Sequence, residues 1–182
     1  MSPAARRFFG CALPAILTLG ACLSCVLVAY ASQAVMVRSV ISGAEMAPAL
    51  SPGITVFVDN TAFWARNPLR GEIVWMNAAE GRVFRRVLAI PGDWVVVAAG
   101  HVAVNGISVD EPFAAGTGPD AGPVTLGEDA YFVLADDRGA ADSRVWGPIR
   151  RRDIFGSAAF TRPPGGSFDP IQRAPMPESL QP

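Results

Sequence analysis

Phe84-Arg85-Arg86-Val87-Leu88-Ala89-Ile90-Pro91-Gly92-Asp93-Trp94-Val95-Val96-Val97-Ala98-Ala99-Gly100-His101-Val102-Ala103-Val104-Asn105-Gly106 reads as three extended runs, each closed by a tight turn. Valine, isoleucine and aromatic residues fill the runs, and Gly, Pro, Asn and Asp punctuate them, which is the pattern of strands in an antiparallel sheet. Ala99-Gly100 and Asn105-Gly106 are each the right length for a two-residue hairpin, and Asn and Gly both tolerate the positive φ such a turn requires. The same alternation of short β-rich runs and breakers extends outward in both directions. It predicts further strands at Val35–Ser42, Ile54–Asp59, Glu72–Asn77, Ala130–Ala135 and Ile154–Thr161. Helical periodicity is absent beyond Arg38, so a mainly β domain is expected over residues 38–162. Pro112–Pro123, rich in Gly, Pro and Ala, reads as a surface loop. Six prolines in residues 163–182 read as a disordered tail unable to pair in a sheet.

The chain's 182 residues suit one domain and an appendage. Fifteen arginines against sixteen acids leave a net charge of -1, which offers no basic footprint for nucleic acid. There is no lysine, and His101 is the single histidine, so neutral nitrogen bases are nearly absent. The cysteines, Cys11, Cys22 and Cys25, precede the β region and leave it without a disulfide or a cysteine metal site. No metal or other cofactor is expected.

Residues 1–37 read as a cytoplasmic tip and an anchor. Phe8–Val37 carries no charge, and its densest part, Phe8–Tyr30, has 23 residues against the roughly 20 a transmembrane helix needs. Arg6 and Arg7 before it place the N-terminus in the cytoplasm and the β domain on the outer, periplasmic face of the cytoplasmic membrane. Two rival readings are a cleavable export signal ending at Ala29-Tyr30-Ala31 and a lipoprotein box at Leu19-Gly20-Ala21-Cys22. The length of the apolar run favours the retained helix.

Four blocks then share one resemblance. Met46-Ala47-Pro48-Ala49-Leu50 resembles the S-M-x-P-T-L block of type I signal peptidases, and Arg70-Gly71-Glu72-Ile73-Val74 resembles their R-G-D-I-V block. Phe84–Asp93 is similar to V-K-R-V-I-G-L-P-G-D. Asp136-Asp137-Arg138, followed by Asp142-Ser143-Arg144-Val145-Trp146-Gly147, is similar to G-D-N-R…D-S-R-x-W-G. The blocks stand in the family's order. The resemblance implies a signal-peptidase-like antiparallel β-fold behind one membrane helix, and an activity that cuts signal peptides from preproteins. It also implies a serine nucleophile, a neutral lysine as base and a second serine that steers the lysine.

At each of those three positions the sequence departs from the pattern. Glu45 stands where the nucleophile is expected, and Arg85 where the lysine is expected. The segment Arg138-Gly139-Ala140-Ala141-Asp142 offers only glycine and alanine for the steering serine. Guanidinium, with a pKa above ~12, cannot act as a base in a protein. Glu45 and Arg85 changed to complementary charges, so an ion pair between them is expected in place of the dyad. Ser42 lies an odd number of residues before Glu45, which in an extended strand would turn it to the opposite face. A carboxylate pair of Glu45 with Asp136 or Asp142 would be held ionised by Arg85, Arg138 and Arg144. His101 belongs to a hairpin remote from the blocks.

The resemblance implies a structural ion pair between Asp142 and Arg144 within Asp142-Ser143-Arg144, with Asp136 and Arg138 bracing the same loop. Ile41, Met46, Pro48 and Phe84 match positions beside the family's peptide cleft, and as apolar residues they suit a core equally well. Phe63 and Trp64 suit either lipid headgroups or a core. The expected function is a signal peptidase-like membrane protein of the export pathway, inactive as a peptidase, that binds a signal peptide or a membrane partner. Two alternatives are an active peptidase with a non-standard site and a structural subunit of a membrane complex. An open apolar groove beside Glu45 would favour the binder over the structural subunit.

Overall fold

The computed structural model describes residues 17–28 and 35–181. The chain divides into two units, 1–36 and 37–182. In the first, residues 17–28 form a helix whose side chains are exposed, Leu19 and Val28 among them. Among the described residues no helix is long and apolar enough to cross a membrane. The expected 23-residue span is therefore not seen as one helix, because most of what flanks residues 17–28 lies outside the described residues.

The second unit is built of antiparallel strands. In chain order they are β1 (Met36–Val40), β2 (Thr55–Asp59), β3 (Ile73–Ala78), β4 (Gly81–Ala89), β5 (Trp94–Ala98), β6 (His101–Val104), β7 (Ile107–Ser108), β8 (Ala121–Thr125), β9 (Ala130–Leu134), β10 (Ile149–Arg150), β11 (Ile154–Arg162) and β12 (Asp169–Pro170). One sheet runs β1-β2-β11-β3-β4-β9-β10, with β12 added on β11, and a smaller sheet runs β7-β6-β5-β8. The long strands lie where the sequence puts them, to within a residue or two.

β3 explains why the large sheet is covered on both faces. Its run Ile73-Val74-Trp75-Met76 is buried throughout. Side chains alternate across a strand, so Ile73 and Trp75 enter one core with Ile41, Met46, Leu50 and Phe84. Val74 and Met76 enter the opposite core with Phe63, Val87, Tyr131 and Ile154. A third core joins the small sheet, through Val95, Val97, Val102 and Val104, to Leu88, Phe132 and Leu134 of the large one. Asn105 and Gly106 turn from β6 to β7 with φ of 52° and 80°, and Ala99 and Gly100 turn from β5 to β6 with φ of 50° and 80°, as two-residue hairpins require.

Two expectations are corrected. The loop expected at Pro112–Pro123 ends early, because residues 121–125 form β8 on the edge of the small sheet, paired with β5. A proline is tolerated there because an edge strand leaves alternate N–H groups unpaired. Short β7, β10 and β12 carry too few residues for periodicity to reveal them. The proline-rich tail is not disordered: β12 pairs with β11 through Phe160 and Pro170, and Ala174, Met176 and Leu180 are buried in the third core. The Ala174 N–H donates to Gly71 O at 3.1 Å, and Arg70 Nη1 donates to Leu180 O at 2.7 Å. Gly71, at φ 86°, is what admits this approach, since a Cβ there would meet Ala174 O at 2.4 Å.

Candidate functional site

After β1 the chain leaves the sheet and folds into a compact turn over residues 43–50, pinned by Met46 and Leu50, which are buried in the core beside Trp75 and Phe84. The pinning leaves Glu45 exposed on the turn, while its carbonyl accepts a hydrogen bond from the Asp137 N–H at 2.9 Å. Between residues 39–46 and residues 82–85 of β4 runs a groove of about 120 Å³. Ile41, Met46 and Phe84 line it and also belong to the core. Pro48 is exposed on the turn and does not line it.

Glu45 and Arg85 both line the groove, yet they do not form the expected ion pair. Among the described residues the ion pairs within 4 Å are Arg66–Glu72, Arg70–Asp93, Arg86–Asp136, Arg138–Glu111 and Arg144–Asp142. Arg85 is instead turned inward. Its Nε donates to Ala141 O at 2.9 Å, its Nη1 donates to Phe84 O at 2.6 Å, and its guanidinium lies 5.4 Å from the centre of the Trp146 ring. The Glu45 carboxylate folds back over Gly43, where a Cβ would stand 2.1 Å from Oε2. Burial lowers the Arg85 pKa from its ordinary value, opposed by the attraction of Glu45, Asp142 and Glu80. The loop that carries no steering serine thus supplies Arg85 with a main-chain carbonyl.

Around the loop that follows β9 lies a set of buried ion pairs. Asp142 is fully buried and accepts Arg144 Nε at 2.8 Å and Nη2 at 2.7 Å, and it also takes the Ala135 and Arg144 N–H groups. It caps a four-residue helix, Ser143–Trp146, whose Ser143 Oγ accepts the Val133 N–H at 3.0 Å. Asp136 and Arg138 do brace this loop, though each through another partner. Asp136 receives Arg86 Nε at 2.8 Å and Nη2 at 2.5 Å, and Arg138 pairs with Glu111 while donating to Ala135 O. Burial pushes the Asp136 and Glu111 carboxyls above their ordinary range despite these arginines. With Asp136 and Asp142 committed to arginines, neither is free to share a proton with Glu45.

Further residues emerge only in three dimensions. Arg70, from the second sequence block, clamps Asp93, from the third, with Nε–Oδ2 at 2.9 Å and Nη2–Oδ1 at 2.6 Å. Arg86 ties the third block to the fourth through Asp136. The signal was present in the blocks themselves, since each clamp joins two of them. Ser42 and Ser39 line the groove, contrary to the expectation that Ser42 faces away, because strand alternation ends at Val40 where β1 stops. His101 is exposed on β6, outside the groove. Phe63 is buried in the second core and Trp64 is 83% exposed.

A family model described as signal peptidase, peptidase S26, matches residues 15–162. The chain is 34% identical over 143 residues to a probable signal peptidase I-2 of Synechocystis, an alignment that covers 73% of this chain and 63% of that relative. It is 31% identical over 135 residues to signal peptidase I S of Bacillus subtilis, covering 66% of this chain and 73% of the relative. A crystal structure of a signal peptidase I from Enterococcus faecalis is similar at a TM-score of 0.45 and 24% identity, over 50% of this chain and 97% of that one.

Proposed function

Because the chain belongs to the signal peptidase family, peptidase S26, we propose that it keeps the family's peptide groove and has lost peptide hydrolysis, so that it binds signal peptides of preproteins without cutting them. The observation that carries this reading is the pair of groups at the groove. Position 45 holds an exposed carboxylate and position 85 a guanidinium bound to two carbonyls, and neither can act as the hydroxyl nucleophile or the neutral amine base of the family's chemistry. The groove is open beside Glu45 rather than filled, which supports a binder over a purely structural subunit. The bidentate arginine clamps hold the surrounding loop in shape, as a site used for recognition requires.

The domain would work at the outer face of the cytoplasmic membrane, tethered by the uncharged segment Phe8–Tyr30 with Arg6 and Arg7 inside. The division of the chain into an anchor within residues 1–37, a β domain over 38–162 and a tail belongs to the same proposal, with the tail as part of the β unit. A membrane protein partner remains a second class of ligand for the same surface.

One feature favours an active alternative. Ser42 places a hydroxyl at the groove that Glu45 also lines. The test is incubation of the full chain in detergent with a preprotein, beside Ser42→Ala, Glu45→Ala and Glu45→Ser/Arg85→Lys variants. The expected outcome is retention of the intact preprotein by the unaltered chain. Cleavage that either alanine variant abolishes would overturn the proposal.

A further inference from the structure

We propose that the groove takes the free C-terminal carboxylate of an extended peptide, with Arg85 as its counter-ion. The ligand is then the kind of molecule that an endopeptidase releases, a cleaved segment carrying a new chain end, rather than an uncut precursor. This rests on the peptide-binding reading above and narrows it.

Arg85 is the odd member of a consistent set. Arg86, Arg138 and Arg144 are at least as deeply buried in their side chains, and each holds a carboxylate. Arg85 is 3% exposed and has no carboxylate within 4 Å among the described residues. Burying a cation without a counter-ion is costly, because two neutral carbonyls do not replace the lost hydration of a full charge. No described residue supplies an acceptor for its remaining nitrogen, Nη2, and that atom is not among those sealed from solvent without a partner. Glu45 could have closed the circuit, but its carboxylate is turned back onto Gly43. Arg85 therefore lines an open groove as a desolvated cation that no carboxylate reaches within 4 Å among the described residues.

The shape of the groove selects the anion. About 120 Å³ is the space of roughly four waters at ~30 Å³ each. That is room for a carboxylate and a small apolar side chain against Ile41, Met46 and Phe84. β1 lies at one edge of the large sheet, so its outer main-chain groups can pair with an added strand. An extended peptide running along β1 and ending at Arg85 would satisfy both features. A dianion such as a phosphate would meet the neighbouring charge of Glu45 more unfavourably than a carboxylate.

The experiment uses the full chain in detergent and fluorescein-labelled peptides of one alternating valine and alanine sequence. One ends in alanine as the free acid, the second is its C-terminal amide, and the third continues past that alanine as an uncut precursor would. Fluorescence anisotropy is expected to show the free acid binding about tenfold to a hundredfold more tightly than either other form, the span of one charge-assisted hydrogen-bonded contact. Arg85→Gln is expected to abolish the preference for the free acid over the amide, and Arg85→Lys to restore part of it. The series on the unaltered chain decides the matter even where a variant fails to fold. Equal affinity for acid and amide, or a preference for the uncut form, overturns the assignment of Arg85 and leaves peptide binding standing. Binding of none of the peptides, or cleavage of the uncut one, overturns both.

Discussion

Asp136→Leu provides the sharpest test of how the loop that follows β9 is held. The Asp136 side chain is sealed from solvent, and the Arg86 side chain facing it is 3% exposed. Two charge-assisted bonds, at 2.8 and 2.5 Å, join them, and among the described residues the other acceptor of Arg86 is Gly71 O at 3.0 Å. Removing one partner from such a buried pair strands the other charge and costs about 3–5 kcal/mol. At a urea dependence of ~2 kcal/mol/M this lowers the unfolding midpoint by about 2 M. Burial raises the Asp136 pKa despite the arginines, and desolvating two charges offsets much of what such a buried pair gains. The double variant Arg86→Met/Asp136→Leu should then lose no more than about 1–2 kcal/mol, which gives a coupling energy of at least about 2 kcal/mol. The assay is urea unfolding of the full chain in detergent, followed by tryptophan fluorescence, to which Trp75 at 8% exposure contributes. A shift below about 0.5 M for Asp136→Leu, or a double variant as unstable as the summed singles, would refute the reasoning.

Asp93 sets a limit at low pH. Its burial raises the carboxyl pKa, but hydrogen bonds from Arg70, the Ile90 N–H and Asn105 outweigh it and hold the group below its ordinary value. A depressed carboxylate stabilises the fold fully above its unfolded pKa of ~3.9 and progressively less as pH falls through the folded value, so urea midpoints of the unaltered chain should drop below pH ~4 and those of Asp93→Asn should drop less. Truncation after Gln172 removes Met176 and Leu180 from the third core and the carbonyl that Arg70 uses; at ~1.5–3 kcal/mol per buried apolar side chain, a loss of about 3–6 kcal/mol is expected in the same assay, and an unchanged midpoint would mean that the tail is not part of the domain. Gly122→Ala is expected to cost about 1–3 kcal/mol, because Gly122 sits at φ 96° and an added Cβ would stand 2.5 Å from Val95 O; thermal unfolding within a degree of the parent chain would contradict the close approach of β8 to β5.

The strands were legible where a run was long enough to show its period. β4, β5 and β6 follow from one continuous stretch because Pro91-Gly92-Asp93 and the two glycine-bearing hairpins mark the ends. β7, β10 and β12, of two residues each, carry no period, and β8 includes the proline that would exclude a central strand. The packing of the tail is hidden from the sequence for a related reason. Proline content reports what a segment cannot donate to a sheet, whereas Ala174, Met176 and Leu180 are placed by a surface that other parts of the chain create. Within the site, Glu45 and Arg85 were identified as a pair from their places in two blocks, and both line one groove. Their pairing was not decided by charge, since Ala141 O and Phe84 O reach Arg85 first.

What the sequence by itself determined is the chemistry available and the β character of the domain. Without lysine, and with the only histidine on a remote hairpin, the groove had to be built without a neutral nitrogen base, whatever its shape. Which charges meet was left to the tertiary structure. Asp136 stands one residue from Asp137 and two from Arg138, yet it pairs with Arg86 of the neighbouring strand β4, fifty positions away. Side-chain partners depend on register, bulges and the angle at which a turn enters, quantities that no local pattern encodes. Arg85 was thereby left buried, charged and without a carboxylate, at the edge of an open groove.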